Sequence, residues 1–361
     1  MTGGCGGSRR KGMATAIKNL VFFESWMDPV AETILAEEKD IALKRLRFAD
    51  PAEGNWQALA GAHGYQLLPA MEIRAPFLPG PALIERCPNL LAVSSTGAGY
   101  DIVDVEACTE AGILVVNQAG ANAESVAQHV FGMMLALTKQ IAQSDKRMRR
   151  DAKGWTRMDY KGKELTGRTL GIVGLGNVGR RMSALATAFN MSVVACDPYI
   201  SAADFRERGA KPVTLDQIFR EADFVSINCP LNDETRGMIG ARHYALMKPT
   251  AYFITTARGG IHDEAALAKA LGEGRIAGAG LDVFEPEPPP LDHPLLGMDN
   301  VIVSPHIAGI TDDCTHNMAS YAAEQWIAIF RGQRPPRLIN PEAWPRYRDR
   351  FRRLFGVPVE A

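Results

Sequence analysis

The sequence predicts an α/β protein: a doubly wound parallel sheet accompanied by a second, smaller α/β domain. Apolar runs of strand length alternate with segments of helical period along nearly the whole chain, which is the pattern of βαβ units. A glycine-rich turn lies between one such run and a helical segment at residues 174–179. Size agrees, since 361 residues at roughly 150 per domain make two domains.

Taken in order, residues 20–23 read as a strand and 28–38 as a helix. Residues 90–93 and 113–116 repeat the strand pattern on either side of the Ala-containing helix 103–111. Val126, Val130, Met133, Leu137 and Ile141 recur at three-to-four spacing, so 122–141 reads as one long helix whose stripe faces a core or a joining surface. Lys146, Arg147, Arg149 and Arg150 follow as a solvated basic end. A second α/β unit starts at 169, with strands at 170–173, 192–195, 224–227, 251–255, 280–283 and 301–304 and helices such as 180–189 and 263–271 between them. Glu285-Pro286-Glu287-Pro288-Pro289-Pro290 can be neither helix nor central strand and reads as a rigid loop. A last helix is expected at 313–330, and the arginine-rich stretch 345–353 reads as a charged surface tail.

Lys plus Arg number 40 against 41 Asp plus Glu, a formal charge of -1, which argues against a binder of nucleic acid or another polyanion. The six cysteines are scattered without short metal-ligand spacing, so free thiols and no metal site are expected. No run approaches the ~18 apolar residues of a membrane span. Residues 1–12 carry positive charge with no apolar stretch behind them and read as a flexible leader, leaving the cytoplasm as the default compartment.

The chemistry starts at Gly174-Leu175-Gly176-Asn177-Val178-Gly179. This G-x-G-x-x-G follows a strand, opens a helix, and precedes Asp197 at the end of the next strand, which is the Rossmann dinucleotide fingerprint. Gly174 allows the tight turn, Gly176 lets the backbone approach a pyrophosphate, and Gly179 allows close helix–strand packing. Asp197 would accept the adenosine ribose hydroxyls and repel a 2′-phosphate, so NAD is favoured over NADP. At the carboxyl ends of later strands come Arg258 between Ala257 and Gly259, Asp282 with Glu285 and Glu287, and His306 after Pro305. An arginine fork grips a planar carboxylate, and a histidine beside a carboxylate is a tunable acid–base group. Oxidising an alcohol next to a carboxylate needs both, plus a hydride acceptor. Arg258 is read as the anchor, His306 as the proton shuttle and Glu287 as the residue that orients it.

These residues resemble the D-isomer-specific 2-hydroxyacid dehydrogenases, with the phosphoglycerate dehydrogenase-like branch nearest. The resemblance runs from about 90 to 340. It rests on Gly97-Ala98-Gly99-Tyr100-Asp101, the fingerprint with Asp197, Ala257-Arg258-Gly259, the run from Gly280 through Asp282 to Glu287, and Ser304-Pro305-His306-Ile307-Ala308-Gly309. It implies a catalytic set of Arg258, Glu287 and His306, with Asp282 holding the nicotinamide carboxamide. Further cofactor contacts are implied for Asn177, Val178, Cys229, Pro230, Thr235, Thr256, Ala257, His306 and Gly309. Substrate contacts are implied for Ala98, Gly99, Arg74 and Arg258. Thr255 and Asn228 replace the Asn and His usual in the family. Arg74-Ala75-Pro76 departs from the polar continuation of the phosphoglycerate enzymes.

The expected organisation is a leader at 1–12, a smaller flavodoxin-like substrate domain at 13–119 completed by 310–345, an NAD-binding Rossmann domain at 120–309, and a tail at 346–361. The function implied is interconversion of a small D-2-hydroxy acid and its 2-oxo acid, in a homodimer built on the cofactor domain. Glyoxylate or hydroxypyruvate reduction and D-3-phosphoglycerate oxidation are the candidates within that activity. An NAD-sensing protein like the corepressors of this fold is the alternative outside catalysis.

Overall fold

A computed structural model describes residues 16–69, 72–151 and 153–359; the expected leader lies outside them. The chain divides into two compact units. Of the described residues, one takes those up to Thr96, Ile102–Asn117 and those from Ala319; the other takes Gly97–Asp101 and Gln118–Met318. Residues 310–318, expected with the substrate domain, therefore belong to the second unit.

The first unit is built on five parallel strands, β1 (Lys18–Phe23), β2 (Ile41–Leu46), β3 (Gly64–Gln66), β4 (Ala92–Ser94) and β5 (Leu114–Val116), in the order β2-β1-β3-β4-β5. This 2-1-3-4-5 arrangement is the flavodoxin-like one. Sequence patterning does not reveal β2 and β3, because β2 is an edge strand with exposed Lys44 and Arg45 and β3 has three residues. From Ala319 the helix Asp312–Phe330 brings Trp326, fully buried, against the sheet. Its indole N–H donates to Gln66 Oε1 at 2.9 Å. Gly64 makes room for that ring: a Cβ there would lie 2.5 Å from Trp326.

The expected surface tail is instead the helix Trp344–Phe355, with Tyr347 and Phe351 buried in the first unit's core. Arg350 donates to the carbonyls of Leu90 and Pro88. Apolar residues at 344, 347, 351 and 354 do follow helical spacing, but interleaved arginines obscure the stripe.

The second unit has seven parallel strands, β6 (Thr169–Val173), β7 (Ser192–Cys196), β8 (Lys211–Pro212), β9 (Phe224–Ile227), β10 (Tyr252–Thr255), β11 (Gly278–Leu281) and β12 (Val301–Val303). Their order is β12-β11-β10-β9-β6-β7-β8. The register pairs Val173 of β6 with Ile227 of β9 on one side and Cys196 of β7 on the other. The order reverses at β6, which puts the crevice of a doubly wound sheet at its carboxyl end. One face packs against the helices Ala123–Thr138 and Asn177–Ala188, the other against Leu215–Glu221, Ala241–Leu246 and Glu264–Gly272. The central strands β6, β9, β10 and β11 are almost wholly buried, as parallel strands between helix layers must be, whereas the edge strands β8 and β12 are not.

The long helix expected at 122–141 ends at Thr138. Gln140 takes a left-handed conformation (φ 54°) and a separate helix, Ile141–Arg150, follows with no buried residue. At the break the Thr138 carbonyl accepts the Lys163 N–H at 2.9 Å instead of continuing the helix. Among the described residues no helix is long and apolar enough to cross a membrane.

Candidate active site

Because all seven strands of the second unit are parallel, their carboxyl ends meet at one edge of the sheet. The glycine loop leaves β6 there. Gly174 has φ 89°, and a Cβ on it would lie 2.8 Å from the Cys229 N–H nitrogen; a Cβ on Gly179 would lie 2.3 Å from the Gly174 carbonyl oxygen. Both positions exclude side chains for backbone reasons. Gly176 differs, because a Cβ there meets nothing within 4 Å. The third glycine's close contact lets the helix Asn177–Ala188 start against the strand, and neither a side-chain cap nor an acidic residue occupies its first turn. The first N–H groups of such an uncapped helix end have no intrahelical acceptor, which is the arrangement that receives a dinucleotide phosphate. Asp197 follows β7 and is itself ordered by two backbone donors, Leu175 N–H at 2.8 Å and Tyr199 N–H at 3.0 Å. The residues present therefore fit an NAD diphosphate and ribose.

Cys229 and Pro230 follow β9, and the nearby Thr235 hydroxyl donates to the Pro230 carbonyl at 2.6 Å. Burial pushes the Cys229 thiol up to about 11, so it is no nucleophile at neutral pH. Asn177 and Val178 are half-buried in the first helical turn, and Thr256 and Ala257 follow β10. The Gly309 Cβ position stands in ordinary contact with Asn122 and Val126.

Arg258 emerges after β10. Its Nε donates to Asp101 Oδ2 at 2.8 Å and its Nη1 to the Ala257 carbonyl at 2.7 Å. A Cβ on Gly99 would lie 1.7 Å from Arg258 Nη2, so that glycine is what allows the guanidinium to lie along the loop 97–101. Ala98, Gly99 and Arg258 are thus brought together. The pairing of Asp101 with Arg258 is not legible in the sequence, the two being 157 residues apart. Arg74 belongs to the first unit, where its guanidinium lies 5.3 Å from the Phe48 ring centre and lines a cavity of about 690 Å³ with Glu24, Trp26 and Glu72.

His306 follows β12 and Glu287 lies in the proline-rich loop after β11. His306 Nδ1 and Glu287 Oε2 are 2.8 Å apart, and Glu287 Oε1 accepts the Phe284 N–H at 2.9 Å. Burial pushes the Glu287 carboxyl up, but the hydrogen bonds from His306 and Phe284 and the His306 and Arg258 charges outweigh it and hold it below its ordinary value. A carboxylate so held fixes the imidazole ring and favours a proton on Nδ1, leaving Nε2 for chemistry. The loop is pinned from the helix Glu264–Gly272, whose Glu264 accepts the Glu285 N–H at 2.9 Å and lies 2.9 Å from His293 Nε2.

Asp282 follows β11. Its carboxylate is fully buried and receives three protein donors: Ser304 Oγ at 2.5 Å and Ile307 N–H at 2.9 Å on Oδ1, and Ala308 N–H at 2.8 Å on Oδ2. The carboxylate grips the turn that carries His306, a turn in which His306 adopts φ 55°, a left-handed conformation that a non-glycine residue holds only with support.

Comparison with known proteins agrees with this architecture. The family described as "D-isomer specific 2-hydroxyacid dehydrogenase, NAD binding domain" matches residues 131–308. A glyoxylate reductase of Korarchaeum cryptofilum is 41% identical over 263 residues, covering 72% of this chain and 79% of that one. A D-3-phosphoglycerate dehydrogenase of Methanocaldococcus jannaschii is 40% identical over 259 residues, and the match spans only 49% of its length. Among solved structures, a glyoxylate reductase from Paecilomyes thermophila superposes with a TM-score of 0.80 at 26% identity, covering 91% of this chain and 99% of that one. A D-lactate dehydrogenase from Aquifex aeolicus, complexed with NAD and lactic acid, gives 0.76 at 28% identity, covering 89% and 99%. With the fingerprint loop, Asp197 and the parallel edge already in place, the chain belongs to the D-isomer-specific 2-hydroxyacid dehydrogenase family and is an NAD-dependent oxidoreductase.

Proposed function

We propose that this protein reduces a small, unphosphorylated 2-oxo acid to the D-2-hydroxy acid, and catalyses the reverse oxidation, with Arg258, Glu287 and His306 as its working residues. The observation that carries the reading is the His306–Glu287 pair at 2.8 Å on the same sheet edge as Arg258. Bound NAD supplies the hydride chemistry at the substrate's C2. Arg258 offers its fork to the substrate carboxylate and polarises the C2 oxygen, held in place by Asp101. His306 gives its Nε2 proton to that oxygen during reduction and takes it back during oxidation. Glu287 keeps the ring oriented through its bond to Nδ1. Arg74 is followed by Ala75 and Pro76, which offer nothing to a phosphate, and this supports an unphosphorylated substrate.

The same reading makes the protein a cytoplasmic homodimer through the cofactor unit. Exposed Ile141 and Met148 on the helix Ile141–Arg150 support it, and light scattering in solution tests it. The activity is tested by following NADH or NADPH absorbance with glyoxylate, hydroxypyruvate, pyruvate, phenylpyruvate and 3-phosphohydroxypyruvate. The reading requires turnover with NADH on at least one unphosphorylated acid. A preference for 3-phosphohydroxypyruvate, or no turnover on any, would overturn it.

A further inference from the structure

The helix Ala123–Thr138 is mostly an apolar packing element, but two polar residues four apart in sequence leave that pattern on the side facing the catalytic edge. Ser125 Oγ donates to the Ala308 carbonyl at 2.7 Å. His129 Nε2 lies 2.9 Å from Ser304 Oγ. The direction of that second bond follows from its neighbour: Ser304 has one hydroxyl proton and gives it to Asp282 Oδ1 at 2.5 Å, because an ionised carboxylate can only accept. His129 must therefore donate from Nε2. The result is a continuous relay, His129 to Ser304 to Asp282, ending on the carboxylate that binds the Ile307 and Ala308 N–H groups. The Asp282 carbonyl binds the His306 N–H as well, at 2.8 Å. Residues 304–308 are thus gripped from the sheet by Asp282 and from the helix by Ser125 and His129.

We infer that His129 and Ser125 are positioning residues that hold His306 in its left-handed, catalytically aligned conformation through Ser304, Asp282 and Ala308. This rests on His306 being the acid–base group. The physical case is that His306 at φ 55° is disfavoured by itself and is kept there by its surroundings. Asp282 alone could fix the backbone N–H groups, but its Oδ1 side needs the Ser304 hydroxyl, whose rotation His129 determines. The hydrogen bonds of both helix residues end on residues 304 and 308, so their effect travels through the turn.

The test compares His129→Leu, which removes the donor, with His129→Gln, whose side-chain amide can place an N–H where Nε2 stands. Ser125→Ala and His306→Asn are made alongside, and all are assayed with NADH and the best acid of the panel. His129→Leu is expected to lower kcat about 10-fold or more, since small misplacements of a catalytic group cost rate steeply. Its Kd for NADH, read by fluorescence, should stay within about 2-fold, and His129→Gln should recover kcat to within about 3-fold of the parent. Equal kcat losses in the Leu and Gln variants, or a loss in cofactor affinity as large as that in kcat, would overturn the inference. If His129→Leu does not fold, Ser125→Ala carries the test: it must lower kcat with NADH affinity retained, and an unchanged kcat overturns the inference. His306→Asn separates the two claims. Near-parental kcat there would remove the acid–base reading, whereas a large loss there with an unaffected His129→Leu would remove only the positioning role.

Discussion

His262 offers a quantitative test of the second unit's core. It lies just past the turn Gly259–Ile261 and is 5% exposed, with its ring 5.4 Å from that of Phe253. Neither ring nitrogen has a hydrogen-bond partner of good geometry. Burial lowers its value from 6.5 to about 4, against weaker opposition from the Gly259 carbonyl and Asp263. The group is folded in its neutral form, while the unfolded chain takes up a proton near 6.5. Between these values the unfolded state binds more protons, so stability falls as pH drops from 6.5 to 4 and is unaffected by His262 above 6.5. The interval corresponds to about 3 kcal/mol in full, and to about 2 kcal/mol at pH 5. His262→Leu removes that dependence without breaking a hydrogen bond. Urea unfolding read by pulsed amide hydrogen exchange on peptides covering β10 reports this unit at pH 7 and pH 5. The pH 5 point lies above the ordinary carboxylate value, so Glu287, whose stabilisation is lost only at more acid pH, contributes little there. The parent should lose about 2 kcal/mol more than the variant between the two pH values. Equal losses to within about 0.5 kcal/mol would refute the reasoning.

Four further outcomes are expected. His306→Ala should lower kcat by roughly 10²–10⁴-fold, measured by NADH absorbance, as for loss of a general acid–base group. Arg258→Lys should raise KM and lower kcat/KM by about 10-fold or more, because a point charge replaces a fork held by Asp101. Asp197→Ser should raise kcat/KM with NADPH relative to NADH, and an unchanged ratio would show that Asp197 does not face the ribose. Gly64→Ala should cost about 1–3 kcal/mol in thermal unfolding, because its Cβ would lie 2.5 Å from the Trp326 ring, which is walled in by the core.

Motifs that are local in sequence were readable before any fold was known. The glycine fingerprint, Asp197, and the strands at 170–173, 224–227 and 251–255 depend on short-range patterning and on backbone conformations only glycine tolerates. Arg258, Glu287 and His306 could be gathered as a set because parallel strands send all their carboxyl ends to one edge. Three things were not readable. The expected tail is a packed helix, since whether an arginine-studded stretch is exposed depends on what it meets. The long helix breaks at Gln140, where a residue 25 positions on, Lys163, takes the Thr138 carbonyl. Strands β2 and β3 earn their place from neighbours, by parallel pairing with β1.

By itself the sequence determined the fold class and the cofactor, because the first follows from the alternation of strand and helix patterns along the chain and the second from residue type and spacing within a single βαβ unit. Only the tertiary structure decided how the side chains of the site are held. Asp101 meets Arg258, and His129 reaches Asp282 through Ser304, across separations of 157 and more than 150 residues. It also set the Asp282 carboxylate against the turn that carries His306. Hydrogen-bond partnership inside a core is settled by which donors and acceptors are left facing one another after the layers pack. No local pattern encodes that.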